Sequence, residues 1–325
     1  NTLILQRDKG IVVDAPTVVA INNRTDQIIA VGHEARDMVG KIPPYISTFR
    51  PLVRGVISDY EITEKLLKYF IARVHEQSST LVPRPRVIIA VPLETTEVER
   101  KAVEDVVIAS GAREVIMVEG IMAAAVGARM PIEEPVGSLI VDLGGGKMEV
   151  AVISLSGIVQ WKSTPIAGDE MNKAIMVYAK DVFNILLGET NAELIKMQLG
   201  SALPLAEPIQ INVRGRDILT GLPKEIMMND THVREAIDRI LREITKTIKE
   251  VIETTPPELV ADIHERGMVL TGGGSLLRGI DTLIKRETDI AVRVSDDPLT
   301  AVVRGMGILF EQVEPLNTIK IPSSR

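Results

Sequence analysis

The chain has 325 residues, 45% of them hydrophobic and 25% charged, a balance that suits a soluble globular protein and excludes a disordered one. At that length two domains are expected, because a single hydrophobic core seldom serves so many residues. The formal net charge of −7 argues against a general nucleic-acid binder, and the absence of cysteine removes disulfides, thiolate metal sites and cysteine nucleophiles together. The four histidines, His33, His75, His232 and His264, show no metal-ligand spacing, so zinc chemistry is not expected. No apolar run reaches the length of a spanning helix and no signal peptide opens the chain, which points to a cytosolic protein.

In chain order, Thr2-Leu3-Ile4-Leu5 reads as a strand already under way, as in a sequence cut at its N-terminus. Ser58-Asp59-Tyr60-Glu61 fits a capping box opening a helix with Ile62, Leu66, Phe70, Ile71 and Val74 on one face. The continuous apolar run Val87–Val91 predicts a strand covered on both sides. A second capping box, Thr96-Glu97-Val98-Glu99, opens a helix with Val98, Ala102, Val103, Val106 and Val107 inward, ended by Gly111. Val115–Val118 is the next strand, and this order of strand, helix and strand predicts parallel pairing with helices packed on a sheet.

The pattern then restarts. Ser138–Val141 is a strand leading into Asp142-Leu143-Gly144-Gly145-Gly146. Glu149–Leu155 and Ile158–Ser163 flank a hairpin turn at Ser156-Gly157. A long amphipathic helix is expected over Val233–Glu253, with Val233, Ile237, Ile240, Ile244, Ile248 and Val251 inward. Its outer face carries Glu235/Arg239, Asp238/Arg242 and Lys246/Glu250, the four-residue spacing of a solvated face. Pro256-Pro257 breaks the chain before the strand Met268–Leu270 and a second triplet, Gly272-Gly273-Gly274.

The repeated device of an apolar strand followed by three glycines is where chemistry is expected. Without a Cβ, successive backbone N–H groups can approach an anion or a flat ring closely. Asp142, at the end of its strand beside the first triplet, is placed to orient a metal-bound water. Each triplet alone would also serve as a plain tight turn; two of them, each after a buried strand, favour a binding site.

The chain resembles the MreB family of bacterial actins across essentially its whole length. The resemblance is carried by Lys9-Gly10-Ile11-Val12-Val13, Val31-Gly32-His33-Glu34-Ala35, Gly55-Val56-Ile57-Ser58-Asp59-Tyr60, Glu97-Val98-Glu99-Arg100, Ala123-Ala124-Ala125, Ile166-Ala167-Gly168-Asp169-Glu170, Thr255-Pro256-Pro257-Glu258-Leu259 and Leu270-Thr271-Gly272-Gly273-Gly274-Ser275-Leu276-Leu277-Arg278-Gly279. It implies an α/β, actin-like fold of two related domains around a nucleotide cleft. The first would span 1–135 plus 305–325, with an inserted subdomain near 20–57. The second would span 136–304, with another near 172–235. ATP and Mg2+ are the implied cofactors. Gly144-Gly145-Gly146 corresponds to the second phosphate loop, Asp142 to the residue that organises hydrated magnesium, and Gly272-Gly273-Gly274 to the adenosine-binding turn. Glu193 and Lys196 match the positions that hold ribose and adenine; by their pattern alone they read as an ordinary charged helix face.

Several positions depart from the family. Of its opening phosphate loop only Asn1-Thr2 is present. The glutamate that orients the attacking water, in Glu-Pro before Met-Ala-Ala-Ala, is replaced: Gly120 and Ile121 stand there, with Glu119 one residue upstream and so about 100° away around a helix. Gly-Gly-Gly-Thr-Thr-Glu becomes Gly146-Lys147-Met148-Glu149 at its end, an ammonium for a hydroxyl. Arg54 stands where the family has aspartate, within Arg50-Pro51-Leu52-Val53-Arg54-Gly55. These changes predict retained nucleotide binding with slow hydrolysis, Lys147 pairing either with the terminal phosphate or with a neighbouring carboxylate.

The family's membrane-inserting loop corresponds to Leu81-Val82, which would equally serve by folding back onto the core. The resemblance implies head-to-tail filaments of the protein with itself, peripheral attachment to the cytoplasmic face of the inner membrane, and the wall-elongation complex with its transmembrane adaptors as partners. A hydrolysis-deficient regulatory paralogue that co-assembles with an active relative is the alternative. A sugar or acetate kinase of the same superfamily lacks its carboxylate at Gly120, and a chaperone-type ATPase lacks room for a substrate-binding domain.

Overall fold

The computed structural model describes residues 1–76 and 84–322, and in it the chain divides into two compact units. The first comprises Asn1–Gly127 and Val302–Arg325, the second Ala128–Ala301. Leu81 and Val82 lie outside the described residues.

The first unit opens with an antiparallel pair, β1 (Thr2–Gln6) and β2 (Gly10–Ala15). A small three-stranded sheet follows, with β3 (Val19–Asn22) between β4 (Gln27–Val31) and, beyond helix α1 (His33–Met38), β5 (Ile46–Phe49). The short ribbon β6 (Leu52–Val53) and β7 (Val56–Ile57) leads into helix α2 (Tyr60–Glu76). Ile62, Leu66 and Phe70 of α2 are buried against Val13, Val19 and Ile21, as their spacing predicts. Its cap is Asp59 and not Ser58: Asp59 Oδ1 accepts the Ile62 N–H at 2.9 Å. The Ser58 hydroxyl instead donates to the carbonyls of Arg50 and Pro51, so tertiary contacts outbid the local box.

Strand β8 (Arg86–Val91), helix α3 (Glu97–Ala109) and strand β9 (Glu114–Glu119) form a β-α-β unit in which β8 and β9 pair in parallel. The capping box of α3 is complete: Thr96 accepts from the Glu99 N–H, and the Glu99 carboxylate accepts from the Thr96 N–H. Two expectations fail here. Val98 is 80% exposed, because the first turn of α3 projects before Val103, Val106 and Val107 reach the core. Val87–Ala90 are only half-buried, not covered on both faces. Helix α4 (Gly120–Gly127) follows β9 directly, and Ile121–Ala125 are all buried.

In the second unit β10 (Ser138–Leu143), β11 (Met148–Ser154) and β12 (Gly157–Thr164) form an antiparallel meander. The hairpin between β11 and β12 turns on Leu155 and Ser156, both with positive φ, one residue earlier than predicted. Helix α5 (Gly168–Phe183), the short β13 (Ile185–Leu186) and helix α6 (Glu189–Leu199) follow. Next come the hairpin β14 (Gln210–Asp217) and β15 (Pro223–Asn229), helix α7 (Asp230–Glu253) and helix α8 (Pro257–Arg266), which starts on a proline where no N–H is needed.

Strand β16 (Met268–Thr271) pairs in parallel with β10 on one side and, after helix α9 (Ile280–Thr288), with β17 (Val292–Val294) on the other. Helices α5 and α7 bury Met171, Ile175, Ile237, Ile244 and Ile248 in one core with β10 and β11. Ile240 is only partly buried and Leu241 takes the inward place. Asp238 pairs with Arg242 and Lys246 with Glu250 as expected, whereas Glu235 accepts from the Tyr178 hydroxyl at 2.6 Å. After α10 (Ala301–Glu311) and α11 (Val313–Ile319), Ile321 bridges back to Met117 of β9.

Candidate functional site

The candidate residues of the second unit converge on the ends of three adjacent strands. β10 and β16 run parallel in register, Asp142 opposite Thr271, so both glycine triplets leave the sheet side by side. On the other flank the antiparallel register sets Asp142 opposite Glu149. Directly opposed residues project to the same face, so two carboxylates and one hydroxyl share it.

The first triplet is folded onto the start of α5. Gly144 N–H donates to the Lys147 carbonyl at 3.0 Å, closing the turn. Gly168 N–H donates to the Gly144 carbonyl at 3.2 Å and Asp169 N–H to the Gly145 carbonyl at 2.7 Å. These bonds turn two carbonyls towards the helix, and among the described residues nothing accepts from the N–H groups of Gly145 and Gly146. Two successive free backbone donors beside a helix N-terminus form a small anion cradle.

The second triplet begins at Gly272, whose φ of +78° suits glycine. Its N–H donates to Pro298 and its carbonyl accepts the Ser275 hydroxyl at 2.6 Å, after which residues 273–276 form a single 3-10 turn. A Cβ at Gly274 would stand 2.4 Å from Leu143 Cγ, so this turn lies flat against the strand that carries Asp142.

Electrostatics at the strand ends is tight. Burial raises the Asp142 pKa above the usual carboxylate value, and the facing Glu149 charge raises it further. The Thr271 hydroxyl, 3.0 Å from Oδ1, and the Lys147 ammonium oppose that rise. Lys147 Nζ lies 2.6 Å from Glu149 Oε2, and Glu149 is 1% exposed. Of the two pairings open to Lys147, the one with a neighbouring carboxylate is present.

Lys196 is not a solvated member of a charged face. Its amine donates to the Gly168 carbonyl at 3.0 Å, and burial lowers its pKa while Glu193 and Asp169 hold it up. The charge pattern of α6 hides this, since only packing of α6 on α5 buries the ammonium. Asp169, Thr271 and Glu149 received no role from the sequence. The available signals were an acid in the first turn after Gly168, the hydroxyl ending the strand before the second triplet, and an acid two residues beyond the substituted Lys147.

Asn1, Thr2 and Gly120 belong to the first unit. Thr2 starts β1 and its hydroxyl meets that of Thr17 at 2.9 Å. Gly120 is the first residue of α4, immediately after Glu119 ends β9.

The two free N–H groups of the first glycine turn suit an anion such as a phosphate. Mg2+ at Asp142 is a poor fit. Thr271 donates to Oδ1 and a fixed ammonium pairs with the facing carboxylate, which lessens the negative charge a divalent ion would meet. Among the described residues no helix is long and apolar enough to cross a membrane.

Comparison with known proteins agrees with this geometry. The family profile described as MreB/Mbl protein matches residues 1–318. The cell shape-determining protein MreB of Escherichia coli (strain K12) is 45% identical over 318 residues, 97% of this chain and 91% of that protein. MreB5 of Spiroplasma citri bound to ADP superposes with a TM-score of 0.92 at 36% identity, over 97% of this chain and 94% of that one. Its AMPPNP-bound form gives 0.91 at 35%, over 96% and 93%. A MamK double helical filament, 20% identical with a TM-score of 0.75 over 91% of each chain, shares the fold. The fold is therefore the actin-like α/β fold that the sequence predicts.

Proposed function

The chain belongs to the MreB/Mbl family, and on that premise we propose that it is an actin-like, cell shape-determining protein whose self-assembly into filaments is governed by a bound adenine nucleotide. The observation that carries the nucleotide part is the pair of unpartnered N–H groups at Gly145 and Gly146, set beside the N-terminus of α5. Phosphate oxygens are the acceptors such donors suit. Lys196 and Glu193 on α6 and the flat turn at Gly272-Gly273-Gly274 supply the polar and planar contacts a nucleoside needs. That the Spiroplasma relative was crystallised with ADP and with AMPPNP supports the same ligand class here.

Binding and turnover separate in this chain. Hydrolysis needs a water held in line with the terminal phosphate, and each positioning group accounts for orders of magnitude in rate. Gly120 offers no carboxylate, and Lys147 offers an ammonium engaged by Glu149 in place of a hydroxyl. The nucleotide then acts as a slowly changing state marker: subunits add head to tail in an open, heterologous contact and disassemble slowly. Filaments would lie on the cytoplasmic face of the inner membrane, with Leu81 and Val82 repeated along them, and would guide lateral wall synthesis.

The test is sedimentation of the purified chain with and without ATP and anionic liposomes, with phosphate release measured in parallel. Pelleting that depends on nucleotide, with release far below one phosphate per subunit over the assembly time, is the expected result. Failure both to bind nucleotide and to pellet overturns the reading. Gly120 and the Lys147–Glu149 pair also favour a second reading, a regulatory subunit that co-assembles with an active relative. Pelleting only beside a relative that carries glutamate and threonine at those positions would select it.

A further inference from the structure

We propose that this chain binds adenine nucleotide without requiring Mg2+, because Lys147 supplies at the strand end the fixed positive charge that a divalent ion would otherwise bring. The inference rests on the nucleotide reading above and concerns only residues of the second unit.

The register of β10 and β11 places the Asp142 and Glu149 carboxylates opposite each other. Left to themselves, two facing carboxylates repel incoming phosphate and attract a hard divalent cation. Lys147 changes that balance. It stands just before β11, two residues ahead of Glu149, and its Nζ reaches Glu149 Oε2 at 2.6 Å. Glu149 is almost fully buried, so the pair is held in a low-dielectric setting where separating it is costly.

Lys147 directly follows Gly146, one of the two glycines with a free N–H, so the residue that neutralises Glu149 is next in the chain to the anion cradle. It cancels one carboxylate charge, and the register that sets Asp142 opposite Glu149 brings Asp142 within its field as well. A positive charge tethered there weakens the attraction for Mg2+ and lessens the repulsion of phosphate in the same step. The Thr271 hydroxyl already satisfies Oδ1 of Asp142, leaving fewer acceptors for the water shell of a metal.

The experiment titrates the 325-residue chain with ADP in excess Mg2+ and in excess EDTA, followed by calorimetry. The wild-type affinity is expected to differ by less than about threefold between the two buffers. Lys147→Thr is expected to lose at least about tenfold in EDTA and to recover in Mg2+, while Lys147→Arg, which keeps the charge, behaves as wild type. A wild type that loses tenfold or more in EDTA overturns the inference without any variant and leaves the nucleotide reading intact. A wild type that binds ADP in neither buffer overturns the nucleotide reading itself. Should Lys147→Thr fold poorly, Mn2+ binding to the ADP-free wild type, read by water-proton relaxation, gives an independent check. Weak binding is expected, and a tight site at Asp142 would sink the proposal.

Discussion

A Cβ added at Gly272 would meet the Leu143 carbonyl oxygen at 2.4 Å and Asp142 Oδ1 at 2.7 Å, at a backbone φ of +78°. One added at Gly120 would meet nothing closer than the Val91 carbonyl oxygen at 3.6 Å, with no unusual φ. The first glycine is demanded by its surroundings and the second is not. Around Asp142 the second triplet is held tightly, since a Cβ at Gly272 or Gly274 would collide with Leu143. At the start of α4 there is room for a side chain, and the missing carboxylate is a chemical loss without a conformational cause. A glycine that its turn demands and a glycine with open space beside it are therefore under different constraints.

Four variants would break or sharpen that contrast. Gly272→Ala forces a positive φ and a backbone collision, so its stability should fall by about 3 kcal/mol, read as a lower urea midpoint. An unchanged midpoint would mean that the second triplet is an ordinary loop. Gly120→Glu combined with Lys147→Thr restores both water-positioning groups, and phosphate release should rise by about a hundredfold or more with the fold unchanged. If release stays at the wild-type rate, the two positions do not limit turnover.

Lys196 offers a pH test. Burial lowers its folded-state pKa below 10.5, so the unfolded chain binds more protons in the interval between the two values. Stability from this group therefore rises with pH from the folded pKa up to 10.5, and Lys196→Met should lose that upward slope in thermal unfolding across the alkaline range. The smallest effect belongs to Gly120→Ala, expected to stabilise by about 0.5 kcal/mol by restricting the unfolded chain. Destabilisation would show that the space beside Val91 is not usable.

Much of the architecture was legible because it is local. The α3 capping box is encoded within four residues, Thr96 to Glu99, and forms as written. The similar signal at Ser58 misled, because its hydroxyl is captured by the carbonyls of Arg50 and Pro51 and the cap passes to Asp59. Val98 has helical spacing but sits in a first turn that has not yet reached the core. The two triplets were visible as motifs, whereas the acids and hydroxyl around them were not, since Thr271 lies 129 residues from the Asp142 it contacts.

By itself the sequence determined the alternation of strands and helices and the two glycine turns. These follow from periodicity, from capping residues and from the conformational freedom of glycine, all of which act over a few residues. Only the tertiary structure decided that Asp142 faces Glu149, that Lys147 is held by that carboxylate, and that Lys196 is buried on Gly168. Strand register and helix packing join segments far apart in the chain; a one-residue slip sends a strand charge to the opposite face and turns a helix charge by about 100°.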